Sequence, residues 1–193
     1  MAKTRILLDS NAYLRIADSF HPLLHESFGK HNYTLYLIKE FQKEFNKNPR
    51  LKNKFGWVNQ PEFIENRQSP LRTTKSQKEQ INLTYSYLWA HNISEGICAS
   101  RVDVKALAYG DVLGVPVITD DVDMTEIGKA FGIEIWGLLD LLKVVYNSKR
   151  IDLKDINALI NYLDYLKDLP YPAFKTDVKK FFKDHYSSSL HTF

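Results

Sequence analysis

The first two thirds of the chain alternate short apolar runs with segments of helical periodicity. Apolar runs of strand length lie at residues 5–8, 34–38, 115–119 and 132–136. Between them, apolar residues recur every three or four positions, as Phe41 and Phe45 do, which is typical of helices with one buried face. Strands that alternate with helices predict an α/β fold, in which helices cover both faces of a central parallel sheet.

The last third of the chain is predicted to be helical. Beyond Gly137 the strand pattern ends, and Thr176, a good N-cap residue, predicts the start of a final short helix. We therefore divide the chain into an α/β domain, residues 1–146, and a helical C-terminal extension, residues 147–193, that packs on it. An apolar stripe up to the break at Pro170 favours this packing, and it consists of Leu153, Ile156, Ile160 and Leu163.

A basic segment interrupts the α/β pattern. Residues 46–76 are rich in Asn, Pro, Gly, Lys and Gln, which predicts an irregular excursion. Between residues 47 and 78 there are eight basic and two acidic residues, a balance that favours contact with nucleic acid. The aromatic residues of this segment either stack on the bases of a single strand or anchor the loop to the body of the protein. The predicted RNA-binding residues are Arg50, Lys52, Lys54, Trp57 and Arg67.

Composition narrows the class of protein. The chain has 193 residues, 44% of them hydrophobic, which is enough for one sizeable core. It contains no apolar stretch of membrane-spanning length, so we expect a cytoplasmic protein without a membrane partner. The single cysteine, Cys98, cannot form an internal disulfide. Sequence signatures of phosphate-binding loops, dinucleotide-binding folds and serine hydrolases are absent, which disfavours those chemistries.

Four acidic residues are predicted to meet at one edge of the sheet. Asp9 directly follows the run 5–8. One residue separates Glu40 from the run 34–38, and one residue separates Asp121 from the run 115–119. Parallel strands end at a common edge, which is where open α/β sheets bind their ligands. Asp103 lies in the first turn of a helix that leads to the run 115–119. Such a helix runs antiparallel to the strands, so its amino end, with Asp103, lies at the same edge.

Each of these acids also has an ordinary structural explanation. Asp9, Asp103 and Asp121 stand where they can cap helices, and Glu40 suits the first turn of a helix because of the helix dipole. Several carboxylates in one crevice nevertheless repel one another, and a counter-charge is needed. An all-oxygen site of this kind suits Mg²⁺ or Mn²⁺. A divalent cation explains why Asp120, Asp121 and Asp123 crowd the end of the run 115–119.

The motifs LLDSNAY at residues 7–13, SRVDVKALAYG at 100–110 and ITDDVDM at 118–124 resemble those of the PIN-domain nucleases, and the resemblance covers about residues 4–137. It implies a three-layer sandwich around a parallel sheet of about five strands, in the order 3-2-1-4-5. It also implies a catalytic quartet, with Glu44 as the alternative to its second acid. The quartet is Asp9, Glu40, Asp103 and Asp121; the metal ligands are Asp9, Asp103, Asp121 and Asp123; the supporting residues are Asn11 and Thr119.

The function implied by the resemblance is that of a Mg²⁺- or Mn²⁺-dependent endoribonuclease. Such an enzyme hydrolyses phosphodiester bonds of single-stranded or structured RNA, and many family members are toxins of toxin–antitoxin modules. An antitoxin protein and a second copy of the chain are the partners that the resemblance implies. The alternative is a noncatalytic nucleic-acid-binding or regulatory module that keeps the same fold.

Overall fold

Five strands form one sheet in the part of the chain that the structure, a computed structural model, describes: residues 4–69 and 71–183. The strand order is β2-β3-β1-β4-β5. The bounds are β1 Thr4–Leu8, β2 Ser27–Phe28, β3 Tyr33–Leu37, β4 Val117–Ile118 and β5 Ile135–Trp136.

The sheet is parallel except at one edge. Strand β1 pairs in parallel with β3 and β4, and β4 pairs in parallel with β5. The outer strand on the other side is β2, which runs antiparallel to β3 through the pair Phe28 and Tyr33. The predicted order 3-2-1-4-5 and the all-parallel sheet are therefore wrong at this edge. The outer position is taken by a two-residue strand from the segment before β3.

The helices lie on both faces of the sheet, which gives three layers. Along β1, Ile6 and Leu8 point into one hydrophobic core and Leu7 points into the other. The helix bounds are α1 Ser10–Ile16, α2 Glu40–Lys47, α3 Pro49–Lys54, α4 Pro61–Arg67, α5 Lys75–Ser94, α6 Arg101–Leu113, α7 Val122–Phe131, α8 Leu138–Asn147, α9 Leu153–Tyr165 and α10 Phe174–Phe181. Helices α5, α6 and α7 cover the Leu7 face, while α1, α2, α8, α9 and α10 cover the other.

The basic segment is folded rather than irregular, which corrects the prediction for residues 46–76. It forms α3, a short 3₁₀ helix over Gly56–Asn59, and α4. Asn48 caps α3 by accepting from the backbone N–H groups of Arg50 and Leu51, and a proline begins both α3 and α4. Asn and Pro therefore mark helix starts here.

The C-terminal helices share a core with the sheet. The buried residues of α9 are Ile156, Leu159, Ile160 and Leu163, and they join the same core as Ile6 and Leu8. Helix α10 begins at Phe174, and Thr176 lies inside it, so the predicted N-cap at Thr176 is wrong. No helix within the described ranges is long and apolar enough to cross a lipid bilayer.

Candidate active site

Asp9 lies at the centre of the candidate site. It directly follows β1 and caps α1, where its Oδ1 accepts from the backbone N–H of Ala12. Its side chain also hydrogen-bonds to the hydroxyl of Thr119, and only 2% of the residue is exposed. The pKa of Asp9 is raised to about 7, chiefly by burial and to a smaller extent by the charge of Asp103, against the opposing effect of the two hydrogen bonds and of Arg15.

Asp103 approaches from the first turn of α6. It forms a capping box with Ser100: the Ser100 N–H donates to Asp103 Oδ2 at 3.1 Å, and the Asp103 N–H donates to Ser100 Oγ at 3.2 Å. Burial raises the pKa of Asp103, and the charges of Asp121 and Asp123 raise it as well. Asp103 therefore links the acid after β1 to the acids after β4.

The three aspartates after β4 separate into two roles. Asp121 caps α7 by accepting from the Met124 N–H at 2.9 Å, and its own N–H donates to Thr119 Oγ1 at 3.0 Å. Asp123 lies in the first turn of α7, and its charge, like that of Asp121, raises the pKa of Asp103. Asp120 instead accepts from the backbone N–H of Leu138 at 3.2 Å, which ties β4 to the start of α8.

Glu44 is the glutamate that the structure brings to these aspartates. Its Oε2 accepts from Ser10 Oγ at 3.4 Å, and its side chain also hydrogen-bonds to Ser100. Burial raises the pKa of Glu44, and the charge of Asp103 adds to this effect. Glu40 lies one helical turn earlier, beside Lys105 and Tyr109, whose pKa values respond to its charge. The role of either glutamate as the second catalytic acid stays a prediction.

A polar crevice of about 270 Å³ opens beside Asp121 and Asp123. Asn11 and Arg15 of α1 form one side of it, and Pro170 of the C-terminal extension contributes to its wall. The Arg15 guanidinium is an ion-pair partner of Asp168 at 3.6 Å, so its charge is shared with an acid outside the crevice. Asn11, one of the two predicted supporting residues, therefore lines the crevice. Thr119, the other, is buried and accepts from the backbone N–H of Asp121, which also lines the crevice.

The donor set is suitable for a hard divalent cation that keeps part of its water shell. Within residues 4–69 and 71–183, no group of three or more His, Cys, Asp or Glu side chains is arranged to hold a metal ion. The acids nevertheless form one electrostatic group, since the charge of Asp103 acts on both Asp9 and Glu44. Mg²⁺ commonly retains several waters and is bound through one or two carboxylates together with substrate phosphates. One or two of these carboxylates, together with waters and a phosphate, would make up such a ligand set.

The predicted RNA-binding residues occupy different environments. Arg67 donates to Tyr13 Oη at 2.8 Å, to Gln42 Oε1 at 2.8 Å and to the Val58 carbonyl at 2.6 Å, so it joins the basic segment to α1 and α2. Trp57 packs against Tyr13 of α1 with a ring-centroid distance of 5.9 Å. Both therefore serve as anchors of the segment, the alternative that the sequence left open.

The remaining three cations lie on α3. Arg50 and Lys52 are exposed. Lys54 forms an ion pair with Asp168 at 3.2 Å and lies over the Phe55 ring.

Sequence reasoning overlooked the hydroxyls of Ser10 and Ser100 as partners of a site glutamate. The only local signals for them are their positions beside Asp9 and at the start of α6.

Comparison with known proteins provides little guidance. No family model matches the chain, and no curated protein matches it. Among solved structures, the chain is similar to one described as the crystal structure of FitAcB from Neisseria gonorrhoeae. That match has 14% sequence identity and a TM-score of 0.43, and it covers 69% of this chain and 97% of that chain. A match at this level carries no functional argument, so the chemistry is inferred from the side chains themselves.

Proposed function

We propose that this protein is a metal-dependent endoribonuclease that hydrolyses phosphodiester bonds of single-stranded or structured RNA with Mg²⁺ or Mn²⁺. One observation carries the proposal: Asp9 is 2% exposed and within electrostatic range of Asp103, which is itself within range of Glu44, Asp121 and Asp123. Burying a carboxylate among other carboxylates costs stability unless a cation or a proton neutralises it. Acids that bind a catalytic cation explain why this cost is retained.

The residues divide the proposed work between them. The carboxylates that would bind the cation come from Asp9, Asp103, Asp121 and Asp123, with Glu44 or Glu40 as the further acid of the set. Thr119 orients Asp9 and Asp121, because its hydroxyl interacts with both residues. The chemistry that a bound cation would supply is activation of a water and stabilisation of charge on the leaving oxygen. No side chain has to act as the nucleophile.

The wider setting is part of the same proposal. The motif resemblance to PIN-domain toxins leads us to propose a cytoplasmic location, an antitoxin protein that holds the nuclease inactive, and a homodimer. The rival is a noncatalytic nucleic-acid-binding or regulatory module with the same fold. A module that only binds RNA gains nothing from negative charge where phosphates approach, so the buried acids favour the enzyme.

The test is cleavage of fluorescently labelled single-stranded RNA with Mn²⁺, and again with EDTA. We expect EDTA-sensitive cleavage by the natural protein and its loss in Asp103→Asn and Asp121→Asn. Asp111→Asn is the matched control, because Asp111 is an exposed acid near the other end of α6. Cleavage at the natural rate by both site variants, with folding unchanged, contradicts the assignment. Absence of EDTA-sensitive cleavage across several RNAs supports the rival.

The same assay identifies the second acid. We expect Glu44→Gln to lose more activity than Glu40→Gln, because Glu44 is the one in contact with Ser10 and within electrostatic range of Asp103. The reverse order of activity would return the role to Glu40.

A further inference from the structure

Two aromatic rings of α5 and two cations of α6 form a matched pair of contacts. The Arg101 guanidinium lies over the Trp89 ring at 5.3 Å, and the Lys105 ammonium lies over the Tyr85 ring at 5.0 Å. Trp89 and Tyr85 are themselves stacked, with centroids 6.2 Å apart and planes 14° from parallel. We name these four residues the aromatic ladder. Both its rings and its cations are four residues apart, so each pair occupies one face of its helix.

The aromatic ladder and the candidate active site share helix α6. Helix α6 carries Arg101 and Lys105 and also Asp103, all within its first two turns. Lys105 lies within electrostatic range of Glu40, at the start of the helix that also carries Glu44. Asp103 is two residues from both cations, so its side chain leaves α6 in a different direction from theirs. A nucleic acid strand on the ladder would therefore reach the carboxylates around the amino end of α6.

The two cations of the ladder differ in how far they are engaged. Lys105 is half-buried and donates to Asn82 Oδ1 at 2.7 Å, which joins α5 to α6. Arg101 is exposed, and within the described residues its guanidinium has neither a hydrogen bond nor an ion pair. Packing of α5 on α6 explains the position of Lys105, because its ammonium group donates to Asn82 of α5. It leaves the five N–H donors of Arg101 open to an acceptor from outside.

We propose that the aromatic ladder is a binding surface for single-stranded RNA. A base stacks on the outer side of the Arg101 guanidinium, whose inner side covers Trp89, and a neighbouring phosphate accepts from the guanidinium N–H groups. Arginine planes and aromatic rings are the surfaces on which proteins stack unpaired bases, and arginine is the preferred partner of phosphate. The inference extends the proposed function by naming the surface that holds the substrate strand.

Binding is measured separately from cleavage, in EDTA. The probe is a short fluorescein-labelled oligouridylate, and its anisotropy gives the Kd. We expect Arg101→Ala to weaken binding about tenfold, because one stacking contact and one phosphate contact are lost. Arg101→Lys keeps the charge but not the plane, and recovers only part of this loss. The matched control is Lys129→Ala, which removes one exposed cation from the far end of α7 and leaves the Kd within twofold.

Tryptophan fluorescence supplies a second readout that packing alone cannot produce. We expect oligouridylate to quench the natural protein, and Trp89→Phe to remove most of the quenching while it retains most of the affinity. Thermal melting of each variant confirms that it is folded. If Arg101→Ala and Trp89→Phe bind and quench like the natural protein, the inference is overturned, and the ladder serves only to join α5 to α6.

The inference and the proposed function fail in different ways. Binding that depends on Arg101 without any Mn²⁺-dependent cleavage refutes the nuclease and keeps the ladder. Cleavage that is lost in Asp121→Asn but unchanged in Arg101→Ala, together with unchanged affinity, refutes the ladder and keeps the nuclease.

Discussion

The buried carboxyl of Asp9 makes the stability of the protein depend on pH in a defined direction. The informative change is Asp9→Asn, because asparagine is as good an N-cap as aspartate and keeps the acceptor for the Ala12 N–H. It removes only the charge. The comparison between the two proteins therefore isolates the cost of a buried negative charge at this position.

The sign and size follow from the raised pKa of Asp9, which is about 7 instead of its ordinary value of 3.8. Between these two pH values the folded protein keeps a proton that the unfolded chain releases, so the free energy of unfolding falls as pH rises. The loss is complete above the folded pKa and amounts to about 4 kcal/mol, since one unit of pKa corresponds to about 1.4 kcal/mol. We expect the free energy of unfolding of Asp9→Asn to equal that of the natural protein near pH 4 and to exceed it by up to about 4 kcal/mol above pH 7.

Urea unfolding across this pH range, in EDTA, measures the difference between the two proteins. Asp103 and Glu44 also have raised pKa values, but they are present in both proteins, so their direct contribution cancels. A second series with Mn²⁺ should stabilise the natural protein by about 2.7 kcal/mol at 100 times the Kd, and Asp9→Asn far less. A stability difference that stays constant with pH would refute the reasoning, because it would mean that the Asp9 carboxyl is hydrated in the folded protein.

Two further predictions concern packing and are checked by urea unfolding. Arg67→Met removes three hydrogen bonds, two of which join the basic segment to α1 and α2; we expect a loss of about 2–4 kcal/mol, against less than about 0.5 kcal/mol for exposed Arg50→Ala. Equal effects of the two changes would contradict the anchoring role of Arg67. Gly110→Ala places a Cβ 2.4 Å from Val117 Cγ2, so we expect a loss of about 1–3 kcal/mol from overpacking of α6 on β4. An unchanged midpoint would show that β4 moves freely to accommodate it.

Elements with strong local signals were predictable from sequence. The apolar run 5–8 became β1, and Ser100 caps α6 in a capping box, as the spacing to Asp103 indicates. Gly114 ends α6 with a φ of 58°, a conformation that glycine adopts without strain. These signals depend on residues close together in sequence, so no tertiary information is needed to interpret them.

Elements that depend on distant contacts were not predictable. Strand β2 has two residues, too few to show alternation, and it exists because it pairs with β3. Helices α3 and α4 have six and seven residues, which is shorter than an isolated helix can sustain. Their positions are fixed by buried Phe55 and Phe63, together with the internal hydrogen bonds of Arg67.

The two candidate glutamates show what counting residues along the chain leaves undecided. Counting residues from the end of the preceding strand favours Glu40, since it comes first after the apolar run. The glutamate that faces Ser10 is decided by the rotation of α2, which is set by burial of Phe41 and Phe45. That rotation brings Glu44, one turn later, to the hydroxyl of Ser10. Sequence alone leaves both glutamates open because it contains no information on this rotation.

The capping roles and the proposed metal-binding roles of the aspartates have the same structural origin. Asp9, Asp103 and Asp121 lie at the amino ends of α1, α6 and α7. These helices run back along parallel strands, so their amino ends meet at one sheet edge, and their cap residues meet with them. Three helix dipoles thus supply partial positive charge to the carboxylates there. The pKa of Asp9 is still raised to about 7. Since burial is the largest cause of this raised pKa, the dipoles do not offset the desolvation of the Asp9 carboxylate. A cation bound at this edge, as we propose, would supply positive charge where the dipoles fall short.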